Sequence, residues 1–550
     1  MPAARTACVR SKRHRLLPSF AGGVAAAVWL LDAGLASAYT VEADATVVGQ
    51  GYSLRTSDAG GGVSVDRRRL TTYLGLYLGG LGRKDSDLRP AVRDQFSMTI
   101  QMRVDADFGD YLCNIGRVAS GSPLGCVDSR TPGAVRTDPE LQNYRPELLL
   151  AYIEGQNLGG WVDVRLGRQV MYDLLDFRGL DGAWVSVRTP VQLAIEAWGG
   201  LSQNGSLPID PPLYVMDGTS RSTRLDPDDR AQQALALQPT VGASLRTSGL
   251  RDFQGRLSYR RTFSATADLA APGCAGSGTS NCAQSMGTIE ERLSYTMHGR
   301  LLDGRLQGWG GLRYDFLSGR FDNGEVGLRG SPAKGHFLGL EYRYSAPTWD
   351  GDSIFNVFAT EPYHQIDARY DGRTATGAGG SSELSWYGRA HSRLFQTGIG
   401  EVSPALGGDA GLRYRRQHGL LRLDGFFDGG YGGLRAGGDL SGRLLLLRNT
   451  VGLEGRVMYI YWADDARESS RSHGVSIQGG VRWAFMKGAL LHLLAEDNID
   501  RFYSSQLRLM AMLDLSLLLG PHGGRRAPAG LLNAGYGEFP SPGMLPGVLP

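Results

Sequence analysis

From Gln95 to Ala106 the chain reads QFSMTIQMRVDA. Phe96, Met98, Ile100, Met102, Val104 and Ala106 alternate with Gln95, Ser97, Thr99, Gln101, Arg103 and Asp105. A period of two predicts a β-strand with one apolar and one polar face. The scheme recurs to near residue 517, in VQLAIEAW, FQGRLSYR, RLSYTMHGRL, FLGLEYRYS, VGLEGRVMY, GVSIQGGVRWAF and QLRLMAMLDLSL. Helical spacing rarely competes with it. About 22 strands are expected, within a range of 20 to 24. They begin near residues 41, 68, 93, 145, 159, 179, 190, 238, 251, 287, 303, 320, 334, 361, 381, 405, 418, 436, 449, 472, 488 and 502. Alternation alone leaves one question open. A soluble sandwich would turn the apolar face inward, whereas a membrane barrel would turn it outward into lipid.

The connections bear on that choice. Place the first strand's start on the inner side. The long segments near 55–67, 108–144, 203–237, 265–286, 347–360 and 463–471 then all fall on the outer side. The inner connections are short, with 81–92 and 374–380 as exceptions. Short turns at one end and long loops at the other mark an outer-membrane barrel. No mature segment has the ~20 apolar residues of a membrane helix, so a membrane-spanning form must be a closed barrel. The polar face carries charge throughout: Arg103, Asp105, Arg165, Arg188, Glu196, Arg256, Arg260, Arg313, Asp315, Glu341, Arg343, Asp367, Arg369, Glu454, Arg456, Arg482, Arg508 and Asp514. In a barrel these side chains would line a wet pore.

The N-terminus supports export. Arg10, Lys12, Arg13 and Arg15 precede the apolar LLPSFAGGVAAAVWLL, and Ala36-Ser37-Ala38 is a small-residue cleavage site. Residues 1–38 are therefore expected to be a signal peptide, 39–518 the barrel, and 519–550 a Gly/Pro-rich, flexible tail. The whole chain has 58 basic and 55 acidic residues. Five basic residues and one acidic residue leave with the signal, so the mature balance is 53 to 54 and implies no acidic partner. Four cysteines remain after Cys8 is removed. Cys113 with Cys126 and Cys274 with Cys282 are expected to form two local disulfides in outer loops.

At DVRLGRQ (Asp163–Gln169), LDGAWV (Leu180–Val185) and IEAWGGL (Ile195–Leu201) the chain resembles the outer-membrane porins of Gram-negative bacteria. The succession is similar to the R-x-G-R-Q, DG and GG hairpins of large porin-like barrels. The resemblance implies an all-β fold: a single closed transmembrane antiparallel barrel with short periplasmic turns and long extracellular loops. It also implies an outer-membrane location, lipid around the wall and passive passage of small polar solutes. Two features depart from it. The last strand, LRLMAMLDLSLLLG, lacks a terminal aromatic residue, and about 22 strands exceed the 16–18 of ordinary porins.

Other chemistries lack their signatures. The four lysines precede Arg13, Asp85, Gly335 and Gly488, so no P-loop exists. No G-x-S-x-G, H-E-x-x-H or C-x-x-C-H occurs. No basic–aromatic patch suggests nucleic acid. No cofactor and no catalytic or metal site is expected. His298 and Ser294 share one strand face, which keeps a barrel hydrolase as a third alternative. The second is a sheath around a periplasmic multihaem cytochrome. The lead is a channel in which lumen arginines facing carboxylates produce a transverse field that orders polar solutes and sets ion preference. The loop Leu201–Asp229 is a candidate for folding inward as a constriction.

Overall fold

The computed structural model describes residues 40–56, 63–81, 95–107, 145–203, 238–264, 287–346, 361–377, 382–397, 400–464, 467–501 and 505–519. The expected signal peptide, all four loop cysteines and the tail from 520 lie outside the described residues, as does most of the loop Leu201–Asp229.

Twenty-two strands follow one another: β1 (Thr40–Thr56), β2 (Val63–Leu81), β3 (Gln95–Asp107), β4 (Arg145–Leu158), β5 (Val162–Asp173), β6 (Asp176–Arg188), β7 (Leu193–Gln203), β8 (Pro239–Thr247), β9 (Phe253–Ser264), β10 (Gly287–Leu301), β11 (Leu306–Asp315), β12 (Arg320–Ala333), β13 (His336–Ser345), β14 (Tyr363–Thr376), β15 (Ser382–Gln396), β16 (Val402–Arg416), β17 (Gly419–Gly430), β18 (Gly433–Leu446), β19 (Val451–Asp464), β20 (Arg467–Met486), β21 (Ala489–Asp500) and β22 (Gln506–Leu519). Each pairs antiparallel with the next. β22 pairs with β1 from Val41↔Leu519 to Tyr52↔Arg508, which closes the sheet. The fold is a 22-stranded antiparallel barrel.

A closed sheet has a convex face on which side chains splay apart and a concave face on which they crowd. Exposure therefore reports which face is which. Leu340, Ile366 and Leu423 are 57%, 54% and 51% exposed, whereas Glu196 and Asp367 on the other face are 3% and 6% exposed. In β3, Phe96 is exposed while Ser97 and Arg103 are buried. The apolar set of each strand thus faces outward and the polar set faces the lumen. This is the inverse of a soluble sandwich and suits a wall whose outer solvent is hydrocarbon.

The strands begin within five residues of their predicted starts. Two connections differ. The loop expected at 55–67 is cut short, because β1 runs to Thr56 and β2 starts at Val63. A long loop was expected at 463–471, but β19 runs to Asp464 and β20 starts at Arg467. The segment RESSRSHG is polar at every position but the last. With polar residues at successive positions the segment carries no period-two pattern, so it reads as a loop. The gaps 108–144, 204–237, 265–286 and 347–360 all open at the same end of the barrel. Tight connections, such as 174–175 and 431–432, also occur at that end.

An arginine at Ile100, on the outer face, is expected to cost ~2–4 kcal/mol near the middle of the apolar belt, and one at Thr99 far less. Folding titrations of Ile100→Arg and Thr99→Arg in lipid check this. Equal costs would contradict the assignment of faces.

Candidate functional site

The lumen wall is a mesh of guanidinium–carboxylate pairs. Arg165 donates to Glu154 at 2.6 Å and stacks over Tyr152 and Trp184. Glu196, almost fully buried, accepts from Arg246 at 2.5 Å, Arg256 at 2.8 Å and Ser244 at 2.7 Å. Arg188 meets Asp163 at 3.1 Å, Arg343 meets Glu341 at 2.7 Å, Arg389 meets Asp367 at 2.6 Å and Arg369 meets Asp371 at 2.8 Å. Glu454 lies between Arg443 at 3.0 Å and Arg482 at 3.7 Å, and Arg456 pairs with Asp439. Arg508 donates to Gln506 at 3.3 Å, and Thr46 donates to Asp514 at 2.7 Å. Arg103 is buried on the inner face of β3. The backbone of Asp105 lies opposite Arg145 at the strand's outer end.

Nearly all these pairs join adjacent strands or residues two apart on one strand. Arginines therefore face carboxylates along the wall, among the described residues, and not from one side of the lumen to the other. The reason is size. Twenty-two strands at ~4.8 Å spacing and ~40° tilt enclose a lumen ~40 Å across, too wide for opposite walls to attract when a neighbour lies ~3 Å away.

One group of contacts does leave the wall. Arg178, near the start of β6, reaches Glu290 on β10 at 2.8 Å and Thr262 on β9 at 3.1 Å. Arg313 on β11 donates to the carbonyl oxygens of Leu174 and Leu175, at 3.4 and 3.1 Å. Those two residues form the β5–β6 turn. Leu174 also packs over Gly311, where a Cβ would come within 3.0 Å of its Cδ2. Four strands lie between β6 and β11, so five spacings of ~4.8 Å put them roughly 20 Å or more apart along the wall. The tip of the β5–β6 hairpin has therefore left the wall and lies against the inner face of β9–β11.

A row of glycines explains how. Gly167, Gly182 and Gly200 are opposed across β5, β6 and β7. Gly167 has φ of +122°, which L side chains rarely adopt, and a Cβ there would sit 2.2 Å from the Ala151 carbonyl oxygen. A Cβ on Gly182 would sit 2.1 Å from the Gly199 carbonyl oxygen. The three form a crease perpendicular to the strands. These glycines belong to the R-x-G-R-Q, DG and GG motifs, whose positions were legible but whose bend was not. Beyond the crease, Gln169, Leu175 and Leu180 are fully buried. Burying the two leucines contributes about 1.5–3 kcal/mol each.

The hairpin also covers an ionic cluster that the sequence pattern only partly revealed. Glu290 takes contacts from Arg178, Arg260 and Arg292, the last at 3.2 Å. Arg292 also approaches Asp315 at 3.5 Å, and Arg313 donates to the fully buried Asp322 at 2.7 Å. Arg260, Arg313 and Asp315 were expected on this face. Glu290, Arg178, Arg292 and Asp322 were missed. Asp322 is brought in by a register shift between β11 and β12, which a strict period of two cannot anticipate. The loop from Leu201, one candidate for folding inward, lies mostly outside the described residues; among those, it is the β5–β6 hairpin that enters the lumen. His298 and Ser294 lie four residues apart along β10, ~13 Å at ~3.3 Å per residue, too far for proton transfer.

No protein-family profile matches the chain, and a search of curated proteins returns no match. Solved structures similar to it are outer-membrane porins. OccAB4 of Acinetobacter baumannii aligns with a TM-score of 0.40 and 7% identity over 88% of this chain and 99% of its own. A BenF-like porin of Pseudomonas fluorescens Pf-5 aligns at 0.38 and 8% identity, over 87% and 99%. The outer membrane protein opdK of Pseudomonas aeruginosa aligns at 0.38 and 8%, over 87% and 98%. Likeness at this level assigns no substrate.

Glu290→Ala is expected to destabilise the barrel by ~3–5 kcal/mol, because it leaves three guanidinium groups gathered around a vanished carboxylate. The urea midpoint of the refolded chain measures this, and Glu290→Asp should lose less.

Proposed function

We propose that the chain is an outer-membrane channel for passive passage of small polar solutes, narrowed by its own β5–β6 hairpin. The observation that carries this reading is the inversion of faces in a closed barrel. An apolar belt surrounds the wall, and the lumen is lined by side chains that need water or counter-charges. Such a wall suits an outer membrane of a Gram-negative bacterium, to which the signal-like N-terminus also points.

The wall pairs supply donors and acceptors of both signs at short intervals. A polar solute can exchange its hydration for them step by step, with no single deep well. Because each charge is neutralised by a neighbour, the long-range field is weak and ion preference is expected to be modest. The pore-lining residues proposed for this role are those named on the polar face, together with Arg178 and Glu290 at the constriction. A hairpin lying in the lumen also takes up space that an encased cytochrome would need, which favours the channel over the sheath.

Planar-bilayer recording of the refolded chain is the direct test. Steady conductance with a reversal potential near zero in a salt gradient is the expected result, and a silent barrel would overturn the reading. Arg178→Ala should raise single-channel conductance by loosening the hairpin from β9 and β10. An unchanged conductance would mean that the hairpin does not limit flow.

A further inference from the structure

The two ends of the barrel differ in charge. Seven connections join consecutive strands between β8 and β21 at the end opposite the long gaps. Six of them carry a basic residue, in the connection or at its edge: Arg251, Arg305, Lys334, Arg416, Arg448 and Lys487. All six are exposed, and among the described residues none meets a carboxylate within ion-pair distance. The acidic residues of these connections are Asp252 and Asp303. At the other end, the short connections 57–62, 174–175, 316–319, 397–401, 431–432, 465–466 and 501–505 carry one basic residue between them, Arg501. Lysine repeats the bias. Of the three after residue 38, two belong to the six, and Lys84 falls in the sequence between β2 and β3, outside the described residues.

Four of these turns also expose an apolar side chain: Leu250, Leu302, Leu447 and Met486. Leu302 and Leu447 are 71% and 74% exposed. Both are held at positive φ, +52° and +49°, where hairpin turns favour Asn and Gly. Turn geometry therefore does not select leucine here, and neither does water. β11 and β13, ten residues each, rise ~25 Å at ~3.3 Å per residue and ~40° tilt, the height of an outer-membrane apolar belt. The turns at their ends emerge at the level of the lipid headgroups. A leucine there dips into the acyl boundary, and a cation beside it reaches a phosphate.

We propose that the inner rim from β8 to β21 is a docking surface for anionic phospholipid headgroups of the periplasmic leaflet. Its cations are spread about one to a turn over fourteen strands, an arc of roughly 60 Å at ~4.8 Å per spacing. An acidic protein calls for a compact patch, whereas a leaflet touches every turn. Lysine, a strongly hydrated point charge, suits a phosphate as partner. The rim goes beyond the channel reading and shares with it only the membrane setting.

The test reconstitutes the full chain in vesicles of phosphatidylcholine and phosphatidylglycerol in equal parts, with one or the other brominated. Quenching of tryptophan fluorescence by each reports its share of the lipid shell, with the exposed Trp483 near the inner end of β20 among the reporters. At ~10 mM salt phosphatidylglycerol should be preferred about twofold or more. At ~1 M salt the preference should vanish. The quadruple variant Arg305→Gln, Lys334→Gln, Arg448→Gln and Lys487→Gln should lose most of it. Arg471→Gln, an exposed residue of β20 towards the outer end, should keep it. Equal quenching by the two lipids, or a preference that survives the four substitutions, would overturn the proposal. Equal quenching joined to retention of the chain on immobilised polyglutamate would overturn it in favour of an acidic protein. Should the quadruple variant not assemble, the pairs Arg305→Gln with Lys334→Gln and Arg448→Gln with Lys487→Gln decide: partial loss in each supports the rim, and no loss in either overturns it. Conductance in pure phosphatidylcholine tests the channel separately. A silent barrel that still prefers phosphatidylglycerol would count against the channel and not against the rim.

Discussion

The structure depends on one constraint: every backbone N–H and C=O in an apolar setting must find a partner. A closed antiparallel sheet meets it, because β22 returns to β1 and leaves no free edge at the join. Once the sheet is closed, it has only a convex and a concave face. The apolar half of each strand goes to the convex side because the solvent there is hydrocarbon. The polar half goes to the lumen, where water and counter-charges are available. Charge pairing, wall composition and lumen character follow from that choice.

The same constraint explains the energetic weight of the hairpin. Turning β5 and β6 inward gives up ladder bonds with β4, each worth about 0.5–1.5 kcal/mol net. The inward position offsets that loss through buried Leu175 and Leu180, the Arg178–Glu290 pair, and the two backbone carbonyls held by Arg313. Three opposed glycines make the turn sterically feasible. Arg168 ties the hairpin to β4, its guanidinium donating to the Leu148 carbonyl oxygen.

Size shapes the electrostatics in a similar way. In a narrow pore, charges on opposite walls can act on one solute together. In a 22-stranded barrel they are too far apart, so the mature chain's near-balance of charge resolves into local pairs such as Arg389–Asp367 and Arg443–Glu454. Buried pairs of this kind are more informative about which neighbours a strand requires than about net stability.

By itself the sequence determined the strand set, its order and the unlike character of its faces, because these are local, period-two properties. Phe96 to Asp105 reads the same as a segment and as part of β3. The glycines at 167, 182 and 200 were also legible as motif positions. The tertiary structure alone decided that these three glycines lie in one row, since they are 15 and 18 residues apart and meet only through register. It alone brought Arg178 to Glu290 and the β5–β6 tip to Arg313, across strands that no periodicity links. The strand end at RESSRSHG was hidden for a related reason: polar residues at successive positions leave no alternation to read. Alternation records which way a side chain faces its solvent, whereas contacts between distant strands depend on closure, register and bends that only the folded sheet possesses.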